Sequence, residues 1–289
     1  MSAGGHVHDV TESQTGSELV PLLVLAVAAV LAAAYLSAVA RTRWRGEWPA
    51  SRSACWVAGL IAAVLALFGP LGDAAHADFA AHMASHVLLG MLAPLLLVRA
   101  APVTLALRAL DPVPARRLAR LLGCPPVRFV AHPGPATVLT IGGMWLLYAT
   151  PLYSAMHDSA MHDSAMHDSA MHADPLVAAL VNAHIFLAGY LFTASIVGVD
   201  PIAHRPSYVT RSAWLIVAFA GHGILAKYLY AAPPVGVPAD RAEAGALVMY
   251  YGGDAVELAI LVLLCARWYA ATRPRERRSA GTALPAPVR

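Results

Sequence analysis

The sequence predicts an all-α fold, a polytopic bundle of about seven transmembrane helices with its N-terminus outside and its C-terminus cytoplasmic. Three observations carry that expectation. Of 289 residues, 58% are hydrophobic and only 13% are charged, which is too apolar for an ordinary soluble domain. The apolar residues gather into long runs, and a run lying in lipid must satisfy its own backbone amides, which makes it a helix. Eighteen of the twenty Lys and Arg residues fall on one side of the spans so defined, as the retention of basic loops in the cytoplasm requires.

Each crossing needs roughly 20 residues, and runs near 18–40, 54–72, 79–98, 133–153, 176–198, 212–231 and 247–267 supply them. The connections set the orientation. Arg41, Arg43, Arg45 and Arg52 follow the first span, and Arg99, Arg108, Arg116, Arg117, Arg120 and Arg128 lie after the third. Arg205 and Arg211 follow the fifth, and Arg267, Arg273, Arg275, Arg277, Arg278 and Arg289 close the chain. The opposite side receives Lys227, at a span's edge, and Arg241, and is therefore the outer one. The start carries Asp9, Glu12 and Glu18 without Lys or Arg, unlike a cleavable signal peptide. Topology accounts for the basic loops, so membrane lipid is an expected partner and nucleic acid is not.

The chain divides into an outer polar tail (1–17), one seven-helix transmembrane domain (18–270) and a disordered cytoplasmic tail (271–289). Within the long connection 99–131, Val113–Leu122 alternates Arg with Leu and Ala at helical spacing, which predicts a short helix on the inner membrane surface. Pro125, Pro126, Pro133 and Pro135 punctuate the approach to the fourth span, and the Pro-, Gly- and Ala-rich stretch 232–246 reads as an outer loop. Cys55, Cys124 and Cys265 fall at the cytoplasmic side, where disulfides are disfavoured, and form no CxxC pair. Packing describes them better than metal binding.

Between the fourth and fifth spans, Ser154–Asp174 reads SAMHD three times and then SAMHAD. A five-residue repeat turns about 140° per unit on an ideal helix, so it builds no single face. On the outer side it presents thioethers from Met156, Met161, Met166 and Met171 and imidazoles from His157, His162, His167 and His172. Thioether suits Cu(I) and imidazole suits several transition metals, which makes the insert a candidate for metal capture. Replication slippage in a length-tolerant loop explains the same repeat without a selected role.

The third span opens with Asp78, His82 and His86, four residues apart and so on one stripe of the helix. A His pair at this spacing can share a metal ion, with the carboxylate as third ligand or as the group that orients a ring. It can equally bond water, headgroups or other helices. Counted at about 1.5 Å per residue from the outer ends, His86 and Asp254 lie roughly 10 Å deep, His184 12, His222 13 and Glu257 15. Ionisable groups at such depth are costly, so this layer from four spans is expected to face the bundle interior. Singly, each has a plainer reading. His184 is then an interhelical bond, Gly221-His222-Gly223 a close helix contact, and Asp254 and Glu257 partners of a histidine or of Lys227. His132 and His204 lie at the cytoplasmic side, apart from the layer. No stretch reads as a nucleophile elbow, a P-loop or a Rossmann turn, so no catalytic residue is expected.

Three blocks carry a family resemblance. The first is His82-Met83-Ala84-Ser85-His86-Val87-Leu88-Leu89 through Ala93-Pro94-Leu95-Leu96, then Ala101-Pro102-Val103-Thr104. The second is His184-Ile185-Phe186 through Gly189-Tyr190-Leu191-Phe192, then Gly198-Val199-Asp200-Pro201. The third is Tyr251-Gly252-Gly253-Asp254-Ala255-Val256-Glu257. In order and spacing they resemble the CtaG-type cytochrome c oxidase assembly factors of bacteria, over most of residues 20–270. The resemblance implies a part in building a haem–copper oxidase at the plasma membrane, with oxidase subunits as partners and copper as the metal handled. The SAMHD insert departs from the family pattern.

The expectation is a non-enzymatic assembly factor that handles copper on its outer face. His82 and His86 are the first ligand candidates, His184 and His222 the next, with Asp78, Asp254 and Glu257 in support. Three rivals stand beside it. A copper-uptake transporter needs a polar path continuing inward below Glu257, a b-type cytochrome needs histidines ligating haem axially, and an oxidase-binding scaffold needs no metal.

Overall fold

Apolar runs become helices throughout, and among the described residues there is no strand. The computed structural model describes residues 8–153, 175–201 and 205–273, the side chains of 8–20 and 175–176 excepted. The SAMHD insert, His204 and the chain beyond 273 lie outside the described residues.

Helix α1 (His8–Arg41) leads through a 3₁₀ turn (Arg43–Arg45) to α2 (Ala50–Leu67). At Phe68 the backbone turns extended, and Gly69, with φ +77°, starts the short α3 (Gly69–Ala75). Helix α4 (Phe79–Val87) runs into a π-helical turn (Leu88–Leu92) and on into α5 (Ala93–Arg99) without a break. Three short helices follow, α6 (Pro102–Ala109), α7 (Pro112–Leu122) and α8 (Pro125–Val130), each with Pro in its first turn, where the missing N–H costs nothing. Then come α9 (Pro133–Thr137), a second π turn (Val138–Gly142) and α10 (Gly143–Tyr148), again continuous. The long helices α11 (Pro175–Val197), α12 (Tyr208–Ala231) and α13 (Ala239–Thr272) complete the bundle.

Six helical segments among the described residues are long and apolar enough to cross a membrane: Pro21–Arg41, Ala50–Ala74, Phe79–Ala109, Val177–Val197, Tyr208–Ala231 and Ala239–Thr272. The fourth of the seven expected spans is the exception. Its helical run reaches only from Pro133 to Tyr148, short of the roughly 20 residues a crossing needs. Two prolines hold its start, and Pro151 disfavours the helical region at Thr150. Helix α13 departs in the other direction, beginning at Ala239 where a loop to 246 was expected. The stretch Ala239–Ala246 is rich in Ala with Asp240 in the first turn, a composition that favours helix at its N-terminal end. At the other terminus the backbone is helical from His8, so much of the expected polar tail continues α1.

The third span is the centre of the bundle: 56% of its apolar window is buried, against 6% for the first. The side chains around it form two principal clusters. At the Phe79 end, Phe79, Met83, Met144, Tyr148, Tyr153 and Met249 pack with Leu147, Leu225 and Leu229. At the Arg99 end the buried cluster is largely aliphatic, with Leu95, Val98, Ile196, Leu215, Ile260 and Leu264. A carboxylate fixes the turn below it. Ala101, at φ 53°, breaks the helix, and Asp200 accepts from Val103 N at 3.2 Å, Thr104 N at 2.7 Å and Thr104 Oγ1 at 2.6 Å. The Ala-Pro-Val-Thr and Gly-Val-Asp-Pro motifs are thus two halves of one contact. The predicted amphipathic helix is α7, with Arg116, Arg117 and Arg120 exposed.

Candidate functional site

Between the two clusters lies a cavity of about 30 Å³, room for about two waters or a single ion. Every helix that reaches it brings something to its wall. The α4–α5 run supplies His86, Gly90 and Met91, the α9–α10 run Thr140 and Met144, α11 His184, α12 His222 and α13 Glu257. Four of the five members of the expected polar layer therefore meet around one space.

The two π turns explain how a cavity opens here. Both border it, through Gly90 and Met91 on one side and Thr140 and Ile141 on the other, and a π turn widens a helix locally, a deformation found often at functional sites. In the first, Pro94 has no N–H to give the carbonyl of Gly90 four residues earlier. That oxygen instead abuts Gly189 of α11, where an added Cβ would stand 2.9 Å from the Gly90 carbonyl carbon. Two glycines let the helices cross at backbone contact.

His86 and His222 are 5% and 1% exposed, and in neither does a ring nitrogen have a hydrogen-bond partner. His222 Nδ1 lies 3.3 Å from Glu257 Oε1, within ion-pair range but without a hydrogen bond's alignment. Thr140 Oγ1 is also buried without a partner. Glycines seat two of the rings. A Cβ at Gly253 would stand 2.9 Å from His222 Nδ1, and one at Gly143 would stand 3.1 Å from His184 Cδ2. His184 occupies the rim, exposed, with Nε2 donating to the Leu139 carbonyl at 3.2 Å. With that proton on Nε2, Nδ1 keeps the free lone pair.

The remaining candidates lie apart from the cavity. His82 Nε2 bonds the Tyr148 hydroxyl at 3.1 Å, its ring edge-on to Tyr148 and Tyr153. His86 meets the same Tyr148 ring edge-on at 5.9 Å, so one tyrosine separates the inner histidine from the outer. Asp78 caps α4, accepting from Ala81 N at 3.0 Å. Asp254 is exposed, and Lys227 lies over the Tyr250 ring. His132 accepts from Gly134 N at the start of α9. Cys55, Cys124 and Cys265 are free thiols. Among the described residues, no three His, Cys, Asp or Glu side chains form a ready-made metal group.

Sequence reasoning missed Met91, Met144, Thr140 and Tyr148, and the glycines that seat the rings. Gly253 stood inside a quoted block, but nothing in a linear sequence says which helical glycine faces an imidazole.

Residues 33–170 and 168–271 match the family model described as cytochrome c oxidase caa3 assembly factor (Caa3_CtaG). An uncharacterized protein of Mycobacterium leprae is 32% identical over 208 residues, covering 69% of this chain and 29% of its own length. Uncharacterized proteins of Mycobacterium bovis and Mycobacterium tuberculosis are each 33% identical over 208 residues, with the same coverage. The chain thus spans less than a third of the length of these curated relatives. No solved structure matches it.

Proposed function

The chain belongs to the caa3-type cytochrome c oxidase assembly factor family, and from that premise we propose that it carries copper as cargo for a haem–copper oxidase. The ion sits in the cavity lined by His86, His222 and Glu257. One observation carries the reading: two buried imidazoles line a cavity of ion size, and neither has a hydrogen-bond partner on either ring nitrogen. Buried polar groups are ordinarily satisfied, and apolar side chains of similar shape would fill these positions at less cost.

The donor set fits the cargo. Imidazole nitrogen and thioether sulfur are both copper ligands, and thioether selects the Cu(I) state. Glu257 lies where it can orient His222, 3.3 Å from Nδ1. A small turn of the ring on metal binding brings Nδ1–H onto the carboxylate and leaves the Nε2 lone pair for the ion, the usual division of labour between a ligating imidazole and its carboxylate. Two imidazoles with weak thioether donors suit a carrier, which must release what it binds.

Orientation follows from the arginines. With the basic connections in the cytoplasm of a bacterial cell, the Phe79 end of the bundle faces outward and the cavity opens to the extracytoplasmic half. The rivals fit the geometry less well. A through-transporter needs a polar path past Glu257, where the Ile196, Leu215 and Ile260 cluster packs. A b-type cytochrome needs space for a porphyrin, far more than about 30 Å³.

The test is a His86→Ala/His222→Ala variant in copper-limited cells. Immunoblots normalise for any loss of abundance from the two emptied ring positions, and oxidase activity and oxidase copper content per protein fall and recover with added copper. Full oxidase activity in that variant under copper limitation ends the proposal. A metal-free bracing role makes the opposite prediction, with added copper restoring nothing.

A further inference from the structure

The chain has nine methionines. Met1 and the four of the SAMHD insert leave Met83, Met91, Met144 and Met249. These four sit on three different helical runs, yet all of them reach the cavity or the cluster beside it. Met83 and Met249 are fully buried, at 0% exposure, in the cluster at the Phe79 end. Met144 belongs to that cluster and also lines the cavity. Met91 lines the cavity from the first π turn.

Methionine is a common gap-filler, adaptable in shape, and gap-filling predicts no preference between the two clusters. Three of the four are buried at the Phe79 end, while Met91 packs from the cavity wall against the Arg99-end cluster. The buried members of the Arg99-end cluster are Val, Leu, Ala, Ile and Phe, without a methionine. The Phe79-end cluster holds three. The order along the helices is also consistent. Met83 precedes His86 by about one turn of α4, and Met249 precedes Glu257 by about two turns of α13, or roughly 12 Å.

We propose that Met83, Met249 and Met144 form a thioether relay along which Cu(I) exchanges between the Phe79 end of the bundle and the His86–His222–Glu257 cavity. The inference rests on the copper reading of that cavity. Each transfer swaps one neutral sulfur donor for the next and finally for imidazole nitrogen, so no electron or proton moves and the ion remains Cu(I). A soft, neutral donor suits this path because the low dielectric that penalises carboxylates and ammonium groups does not penalise a thioether. The buried members of the aliphatic cluster beyond the cavity offer no donor, and Met91, packed against them, lies on the cavity wall itself, so the relay ends at the cavity, as delivery and collection at a single membrane face require.

The experiment loads the purified full-length protein with Cu(I) from its bicinchoninate complex under reductant. Stopped-flow absorbance follows the rate, the end-point gives the stoichiometry, and a melting curve accompanies each variant. Met83→Leu/Met249→Leu is the central variant, since the Met-to-Leu change roughly conserves volume. It should reach the wild-type end-point, with the wild-type melting temperature, but load on the order of tenfold more slowly, the scale on which lost supporting groups act at metal sites. His86→Ala/His222→Ala should lower the end-point by one equivalent, whatever the SAMHD insert also takes up. Wild-type loading rates in the methionine variant overturn the relay and leave the cavity proposal standing. Slow loading with a depressed melting temperature also counts against the relay, because disturbed packing then explains the rate. A wild-type protein that takes up no Cu(I) ends both.

Discussion

Replacing Gly189 with alanine should be among the most damaging small changes in this protein. The new Cβ would stand 2.9 Å from the Gly90 carbonyl carbon and 3.4 Å from Pro94 Cγ, with the carbonyl oxygen nearer still. Carbon–oxygen contacts between packed helices ordinarily lie at about 3.3–3.6 Å. The obstacle is backbone, so no rotamer change relieves it; α11 has to move away from the first π turn. Overpacking of this kind costs about 1–3 kcal/mol, and the upper end applies where backbone must shift. Alanine returns about 1 kcal/mol through better helix propensity. The net loss of about 2 kcal/mol is roughly a thirtyfold change in the folded-to-unfolded ratio. Because α11 carries His184 into the cavity wall, its displacement disturbs the site as well. Gly142→Ala is the control. That glycine is exposed, and the nearest atom to its new Cβ, Val138 Cγ1, is 3.9 Å away, so the propensity gain stands alone. Melting curves of the detergent-purified proteins decide the matter. If Gly189→Ala melts with Gly142→Ala, at or above wild type, the close-crossing argument is wrong.

Two further outcomes are expected. In Gly253→Ala the new Cβ meets a side chain, the His222 ring, which can swing into the adjoining cavity; the protein should remain in the membrane while its copper load falls. A wild-type copper load in that variant removes His222 from the ligand set. An impermeant thiol reagent should leave Cys124 unlabelled in intact cells and label it in inverted vesicles, and labelling of intact cells reverses the orientation argued from the arginines.

How much of this was legible beforehand depends on which property each residue reports. Apolar length found the helices, because lipid and burial both demand it. It misjudged Ala239–Ala246, where Pro-, Gly- and Ala-rich context outweighed good helix formers. The fourth expected span is helical from Pro133 to Tyr148 and is not among the six segments long enough to cross. Counting depth from the span ends brought His86, His184, His222 and Glu257 to one level, and those four line the cavity. Depth does not give azimuth. Asp254 shares the level yet is exposed, and α13, apolar on all sides, offers no amphipathic stripe from which to choose a face. The stripe argument for Asp78, His82 and His86 placed three groups on one line but not their partners. Tyr148, which takes up His82, belongs to another helix, and Asp78 is occupied at the helix end. The π turns were beyond reach, since Pro94 explains a freed carbonyl only once Gly189 is known to lie against it.

On the copper proposal, the cavity's energetics bear on how the protein would both keep and release an ion. A buried polar group without a partner costs about 1–3 kcal/mol, and His86 and His222 have four ring nitrogens between them in that condition. Two waters in the cavity relieve part of that cost. An ion that takes a lone pair from each ring relieves more, so affinity arises from groups left unsatisfied by the fold. The same arrangement limits affinity. Glu257 is drawn toward His222 at 3.3 Å and is thereby less available as a direct ligand, and Met91 and Met144 donate weakly compared with thiolate. A cysteine on this wall would hold copper more tightly and surrender it more slowly. The bundle instead surrounds two imidazoles with thioethers and one carboxylate, the balance that the proposed cargo role calls for.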